Sequence, residues 1–199
     1  MNWIKENWPK ATLFLAVYTT IPLVLFPMKQ NFPLFLIWIQ MPVYFLHQFE
    51  EYILPGGFLA FFNTKMLGSP REDFPLDTDA SFLINVPIIF IAFLVSSVIS
   101  TRFALCFGLW TAYFSIINAL SHVVMFFKFR YNPGFAVSLI VNIPVGVFTV
   151  YYFASRQLAS TGVQITAFLI GLAVQAAIMI YGFRILKPKI KGISNSVCR

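Results

Sequence analysis

Residues 32–54 read FPLFLIWIQMPVYFLHQFEEYIL, an apolar run that carries a histidine and two adjacent glutamates near its end. A transmembrane helix needs about 20 predominantly apolar residues. The run is continuous, whereas the strands of a membrane barrel alternate apolar and polar positions, so a helix is expected. Five further stretches of the same kind lie at roughly 11–28, 81–100, 103–127, 135–154 and 162–186. Of the 199 residues, 59% are hydrophobic and only 11% charged, with a mean hydropathy of +0.79. About a quarter of a soluble domain is charged, so a soluble globular fold is excluded. The 24 Phe, 8 Tyr and 4 Trp carry too much apolar surface for a disordered chain. The expectation is all-α: one polytopic membrane helical bundle over residues 1–199, with about six transmembrane helices.

The first run follows Lys5 and Lys10 and could be a signal peptide. It is long, contains Pro22, and ends in Phe26-Pro27-Met28 without a small-x-small cleavage site, so it is read as a span. After Pro55-Gly56-Gly57, residues 58–67 (FLAFFNTKML) are too short to span and too apolar for a free loop. They predict a half-buried interfacial helix. The polar stretch SPREDFPLDTD (69–79) follows, with Glu72, Asp73, Asp77 and Asp79. A weak internal echo pairs LINVPIIF (83–90) with IVNIPVGV (140–147), each placing Asn two residues before Pro. Trp3 and Trp8 suit interfacial anchors.

With six spans, Lys5, Lys10, Lys65, Arg71, Lys128, Arg130, Arg184, Lys187, Lys189, Lys191 and Arg199 fall on one side and only Lys29, Arg102 and Arg156 on the other. Positive loops stay inside, so both termini are expected in the cytoplasm, in a bacterial inner membrane. The net charge of +7 therefore reflects topology and lipid headgroups, and no nucleic-acid partner is expected. Two cysteines, Cys106 and Cys198, make no disulfide framework, and Cys198 stands too near the end for a prenylation box.

The chemistry lies in the ionisable groups inside the apolar runs. These are His47, Glu50 and Glu51 in the second run and His122 in the fourth. Each costs about 3 kcal/mol in hydrocarbon on insertion scales, and such groups usually mark function. Positions i, i+3 and i+4 share a helix face, so His47, Glu50 and Glu51 project together, with Tyr44 one turn and Gln40 two turns back. Thr111, Ser115, Asn118 and His122 form a second stripe. Asn85 and Asn142 should lie at the same depth. A plainer possibility is a buried polar cluster that only fixes helix packing. Gln164 and Gln175, with Gly171 and Gly182, are expected to be packing contacts.

The string HQFEEY followed by LPGGF (54–58) resembles the HXXEE family of bacterial integral membrane proteins. Asn118-x-x-x-His122 and Tyr131-Asn132-Pro133-Gly134 resemble that family's second region. The resemblance covers roughly 40–135. It implies an active site of suspected enzymatic function and supplies no substrate.

Three functions fit these residues. In the first, His47, Glu51 and His122 hold a divalent metal such as zinc, with an open position for water. Glu50 is then the general base, and Asn118 orients His122 or stabilises an oxyanion. The reaction would be hydrolysis or acyl transfer on a membrane lipid or lipophilic small molecule entering from the cytoplasmic leaflet. Gln40, Tyr44, Asn85, Ser115, Tyr131 and Asn142 would contact substrate or support the ligands. The carboxylates are too few for a di-iron set. In the second, a metal-free Glu/His acid–base pair isomerises or cyclises an isoprenoid or sterol-like substrate. In the third, the buried groups relay protons or bind a cation in transport.

Overall fold

A computed structural model describes residues 2–25 and 30–190. The helices in chain order are α1 (Trp3–Leu25), α2 (Phe32–Tyr52), the short α3 (58–67), α4 (Thr78–Arg102), α5 (Leu105–Phe129), α6 (Phe135–Ser155) and α7 (Thr161–Lys189). All except α3 are long and apolar enough to cross a membrane, and the chain is an integral membrane protein with an all-α bundle fold. No strand occurs among the described residues. Lys29, Lys191, Cys198, Arg199 and the Phe26-Pro27-Met28 end of the first run lie outside them. The first helix starts before its apolar run, so Lys5 and Lys10 ride on its opening turns.

In α2 and α5, 56% and 50% of the apolar window is buried, against 28% or less in the other spans, so these two helices form the centre. Their side chains interlock with α4 through Tyr44, whose ring lies 5.6 Å from Phe93 and 5.5 Å from Phe114. Against α5, α7 crosses closely at Gly171, where a Cβ would stand 2.7 Å from the Phe114 backbone nitrogen. Small residues allow such approach where lipid supplies no hydrophobic drive. Gln164 and Gln175 join the same contact, to Tyr113 and Asn118.

At the end of α2 the chain reverses through Gly56 and Gly57, with φ of 74° and 86°. Glycine adopts that left-handed backbone without steric cost. α3 then packs onto the bundle with Phe61, Phe62 and Leu67 buried. Its Asn63 staples the polar stretch, donating to the carbonyls of Glu72 and Leu76 and accepting from the Leu76 N–H, each at 2.8 Å. Three of the four acids of that stretch have side-chain partners as well. Asp77 caps α4, Asp79 meets Lys5 at 2.7 Å, and Asp73 meets Arg71.

Among the described residues, four wide π-helical turns interrupt the helices: Phe62–Leu67, Val86–Ala92, Ser138–Asn142 and Tyr181–Leu186. Pro87 lies in the second and Pro144 just follows the third. A proline lacks the N–H and crowds the carbonyl four residues back, and a wider turn relieves both. The two Asn-x-Pro echoes thus share a local distortion, though their amides find different partners. Trp8 departs from its expected interfacial role: it is buried, with its ring 5.0 Å from Tyr52, because α1 lies along α2. Trp3 is exposed.

Candidate functional site

His47, Glu51 and His122 meet inside the bundle, each at most 5% exposed. One helical turn separates His47 from Glu51 on α2, and their Nε2 and Oε1 atoms are 3.7 Å apart. His122 on α5 brings its Nε2 to 3.3 Å from the same Glu51 oxygen. The two imidazoles stand edge to face with centroids 4.7 Å apart. One ligand atom from each residue lies within 4.8 Å of the others.

Hydrogen bonds behind these side chains fix which atoms face the centre. Nδ1 of His122 is 3.1 Å from the Pro133 carbonyl, which can only accept, so that nitrogen carries the proton. Asn132 then presents its Oδ1 to the same N–H at 2.6 Å. The Nε2 lone pair of His122 is left pointing at the Glu51 carboxylate. Nε2 of His47 is buried and has no hydrogen-bond partner, while its Nδ1 lies 3.3 Å from the Ser138 hydroxyl. The Ser138 hydroxyl can accept from His47 Nδ1–H, and in that tautomer three electron-rich atoms converge on one point, an arrangement that costs free energy unless a cation or proton intervenes.

Gly134 is the wall of this pocket. Its φ is +93°, and a Cβ built there would stand 2.9 Å from both Glu51 Cγ and His47 Cε1, and 3.0 Å from His122 Nδ1. The Tyr131-Asn132-Pro133-Gly134 turn is thus both a turn and a support for the cluster. Asn132 and Gly134 were not among the site residues expected from the sequence; the turn's spacing from His122 was the available signal.

Glu50 takes a different place from the one expected of a general base. Its two carboxylate oxygens accept the backbone N–H groups of Ala136 and Val137, at 2.9 and 2.6 Å. It caps the start of α6, where the helix dipole favours an anion. Glu50→Gln leaves one N–H facing an amide NH₂, so it is expected to cost about 1–3 kcal/mol of stability. Thermal unfolding in detergent reads this as a lower Tm. An unchanged Tm with lost turnover would restore the catalytic role.

The remaining expected residues divide between cavity and frame. Asn118 lines the cavity and donates to Gln175 Oε1 at 3.2 Å, so it is Asn132 that orients His122. Gln40 joins α2 to α6 through Thr149, and Asn142 joins α6 to α5 through Ser115. Thr111 bonds back to its own helix, and the Tyr131 hydroxyl reaches the Gly56 carbonyl. Tyr44 lines the cavity with its ring 5.1 Å from His47. Asn85 also lines it.

That cavity opens beside Glu51 and His122. Its polar lining comes from Tyr52, Ser81 and Asn85 and from Asn118 and Gln175; its apolar lining includes Phe58, Phe62, Met66, Met125 and Met179. Tyr52 and Gln175 were not expected there. Six membrane helices around a buried histidine–glutamate cluster define an integral membrane protein with an intramembrane polar site. The chain belongs to the family of proteins of unknown function with an HXXEE motif, which it matches over residues 38–149, more than half its length. His47, Glu50 and Glu51 are the lettered positions of that motif. No curated protein and no solved structure matches the chain. The matched region contains the whole cluster and ends before α7, which closes the cavity.

Proposed function

We propose that the protein is a membrane-embedded, metal-dependent hydrolase or acyl transferase acting on a lipid-like substrate, with a divalent ion held by His47, Glu51 and His122. The observation that supports this is the convergence of three buried ligand atoms, with Nε2 of His47 left without a hydrogen-bond partner. Ligand atoms of a tetrahedral zinc site, with bonds of about 2.0–2.1 Å, stand about 3.3 Å apart. The separations of 3.3 and 3.7 Å from Glu51 Oε1 suit that geometry. Two imidazoles and one carboxylate are a zinc-type donor set that leaves a position for water. A bound ion of this kind acidifies that water and polarises a carbonyl.

The chain's own groups do the rest. The Asn132 and Pro133 oxygens hold the His122 ring and its tautomer. Glu51, the carboxylate that lines the cavity, takes the proton lost by water. Phe58, Phe62 and Met66 of α3 exclude bulk water and receive an apolar chain. Asn132→Ala is expected to weaken metal binding 10- to 100-fold, as loss of an outer partner of a ligating histidine typically does. Competition against a chromophoric chelator measures it.

The Lys/Arg distribution supports a bacterial inner-membrane location with both termini cytoplasmic and substrate entry from the inner leaflet. Reporter fusions at each terminus are expected to be active only in the cytoplasm. One observation favours a second function: a single proton shared between Glu51 Oε1 and His122 Nε2 across 3.3 Å would also relieve the cluster. That pair would serve metal-free isomerisation or cyclisation of an isoprenoid or sterol-like molecule, with aromatic rings stabilising a carbocation. The two are separated by incubating the protein in nanodiscs with acyl esters and amides of long-chain amphiphiles. Release of acid that stops on chelation and returns with zinc supports the hydrolase. Turnover that survives chelation supports the acid–base pair.

A further inference from the structure

Tyr52 lines the same cavity as Glu51 and His122, and its hydroxyl is held by polar groups of α4. Asn85 Nδ2 lies 2.9 Å from the Ser81 carbonyl, which can only accept, so that end of the amide is the NH₂. The same Nδ2 lies 3.0 Å from Tyr52 Oη, so the tyrosine oxygen accepts from it. Ser81 Oγ lies 3.1 Å from Tyr52 Oη, where either hydroxyl can donate to the other. Asn85 Oδ1 in turn accepts from Gln48 Nε2 at 3.0 Å. Asn85 thus polarises the Tyr52 hydroxyl, and when Ser81 donates to the same oxygen the Tyr52 proton is free for a group bound in the cavity. Tyr52, Ser81 and Asn85 all line the cavity that Glu51 and His122 line. Chains of hydrogen bonds that run one way strengthen the terminal donor.

We propose that Tyr52 is the catalytic hydrogen-bond donor to the carbonyl oxygen of a long-chain acyl ester or amide held in this cavity, with Asn85, Ser81 and Gln48 positioning its hydroxyl. The inference rests on the hydrolase function and names its substrate class. The acyl carbonyl lies between Tyr52 and the Glu51–His122 side, and the chain lies along Phe62, Met66, Ile178 and Met179. Water adds to the acyl carbon and the carbonyl π electrons move onto oxygen, where Tyr52 stabilises them. Glu51 carries the proton from water to the departing alcohol or amine as the acyl bond breaks. Tyr52 keeps its own proton throughout. Donors aimed at an oxyanion typically contribute 10²–10³ in kcat.

Tyr52→Phe keeps the ring, which packs 5.0 Å from Trp8 and 5.6 Å from Phe58, so the fold is retained. Its kcat on long-chain esters is expected to fall about a hundredfold, with bound metal and KM little changed. A readout free of turnover uses a long-chain methyl ketone, carbon-13 labelled at the carbonyl, bound to the metal-loaded protein. Its C=O stretch is expected at lower frequency in the natural protein than in Tyr52→Phe. Any metal contribution is common to both proteins and cancels. Identical stretches in the two proteins, or a kcat within twofold of the natural one, would overturn the proposal. A lower stretch in the natural protein without turnover of any ester or amide would uphold Tyr52 as a carbonyl donor and reject the hydrolase function.

Discussion

Replacing Gly134 with alanine is expected to remove metal binding altogether and to lower stability. The added methyl would enter within 3.0 Å of Glu51, His47 and His122 at once, so all three side chains must retreat. Overpacking alone typically costs 1–3 kcal/mol. The φ of +93° adds a backbone penalty that glycine escapes. Because Asn132 and Pro133 precede Gly134 in the same turn, a shift of this backbone also withdraws the acceptors of His122 Nδ1. A useful control is Gly57→Ala. Gly57 has a similar φ of +86° but no atom within 4 Å of the added methyl, so that variant is expected to lose some stability and keep its metal. Metal content and Tm of the two purified variants separate the effects. Equal metal content in both would show that Gly134 does not shape the centre.

Glu51→Gln is expected to divide binding from stability. Its carboxylate is the shared neighbour of both imidazoles, so its loss should weaken the ion by more than the hundredfold seen for outer partners. In the metal-free state the sign reverses. A buried carboxylate facing two histidine nitrogens is costly, whereas a glutamine NH₂ can donate to a histidine lone pair. Metal-free Glu51→Gln is therefore expected to be at least as stable as the metal-free natural protein, with added zinc raising the Tm of the natural protein alone. Such a trade is usual where a site is strained for function. A variant that unfolds more easily in both states would mark Glu51 as a packing residue.

The fold was legible because a membrane leaves few choices. Continuous apolar runs must satisfy every backbone group within the segment, so each becomes a helix. The site was legible in part for the same reason. Polar residues are costly in lipid, so His47, Glu51 and His122 announced an interior position by type and spacing alone. Helical periodicity could not assign roles at closer range. Glu50 and Glu51 are adjacent on α2, yet one turns to the start of α6 and the other to His122. That division depends on where α6 begins, which is set by a turn at 131–134 and not by α2. Ser115 and Asn142 had the right polarity and found each other instead of the site. Tyr52 was missed because a tyrosine near a helix end reads as an interfacial residue. Its partners Ser81 and Asn85 lie on α4, and no pattern within α2 points to them. The wide turns beside Pro87 and Pro144 re-aim side chains by part of a turn, which defeats a strict 3.6-residue projection.

The centre itself is tested most directly by counting metal. The protein is purified without a histidine tag, exchanged into metal-free buffer, and analysed for divalent ions beside His47→Ala and His122→Ala variants. Close to one zinc or other divalent ion per chain is expected in the natural protein, and less than about a tenth of that in either variant, since each removes one of three protein ligands. Metal absent from the natural protein even after incubation with zinc, or retained equally by both variants, would contradict the assignment of His47, Glu51 and His122 as a metal centre.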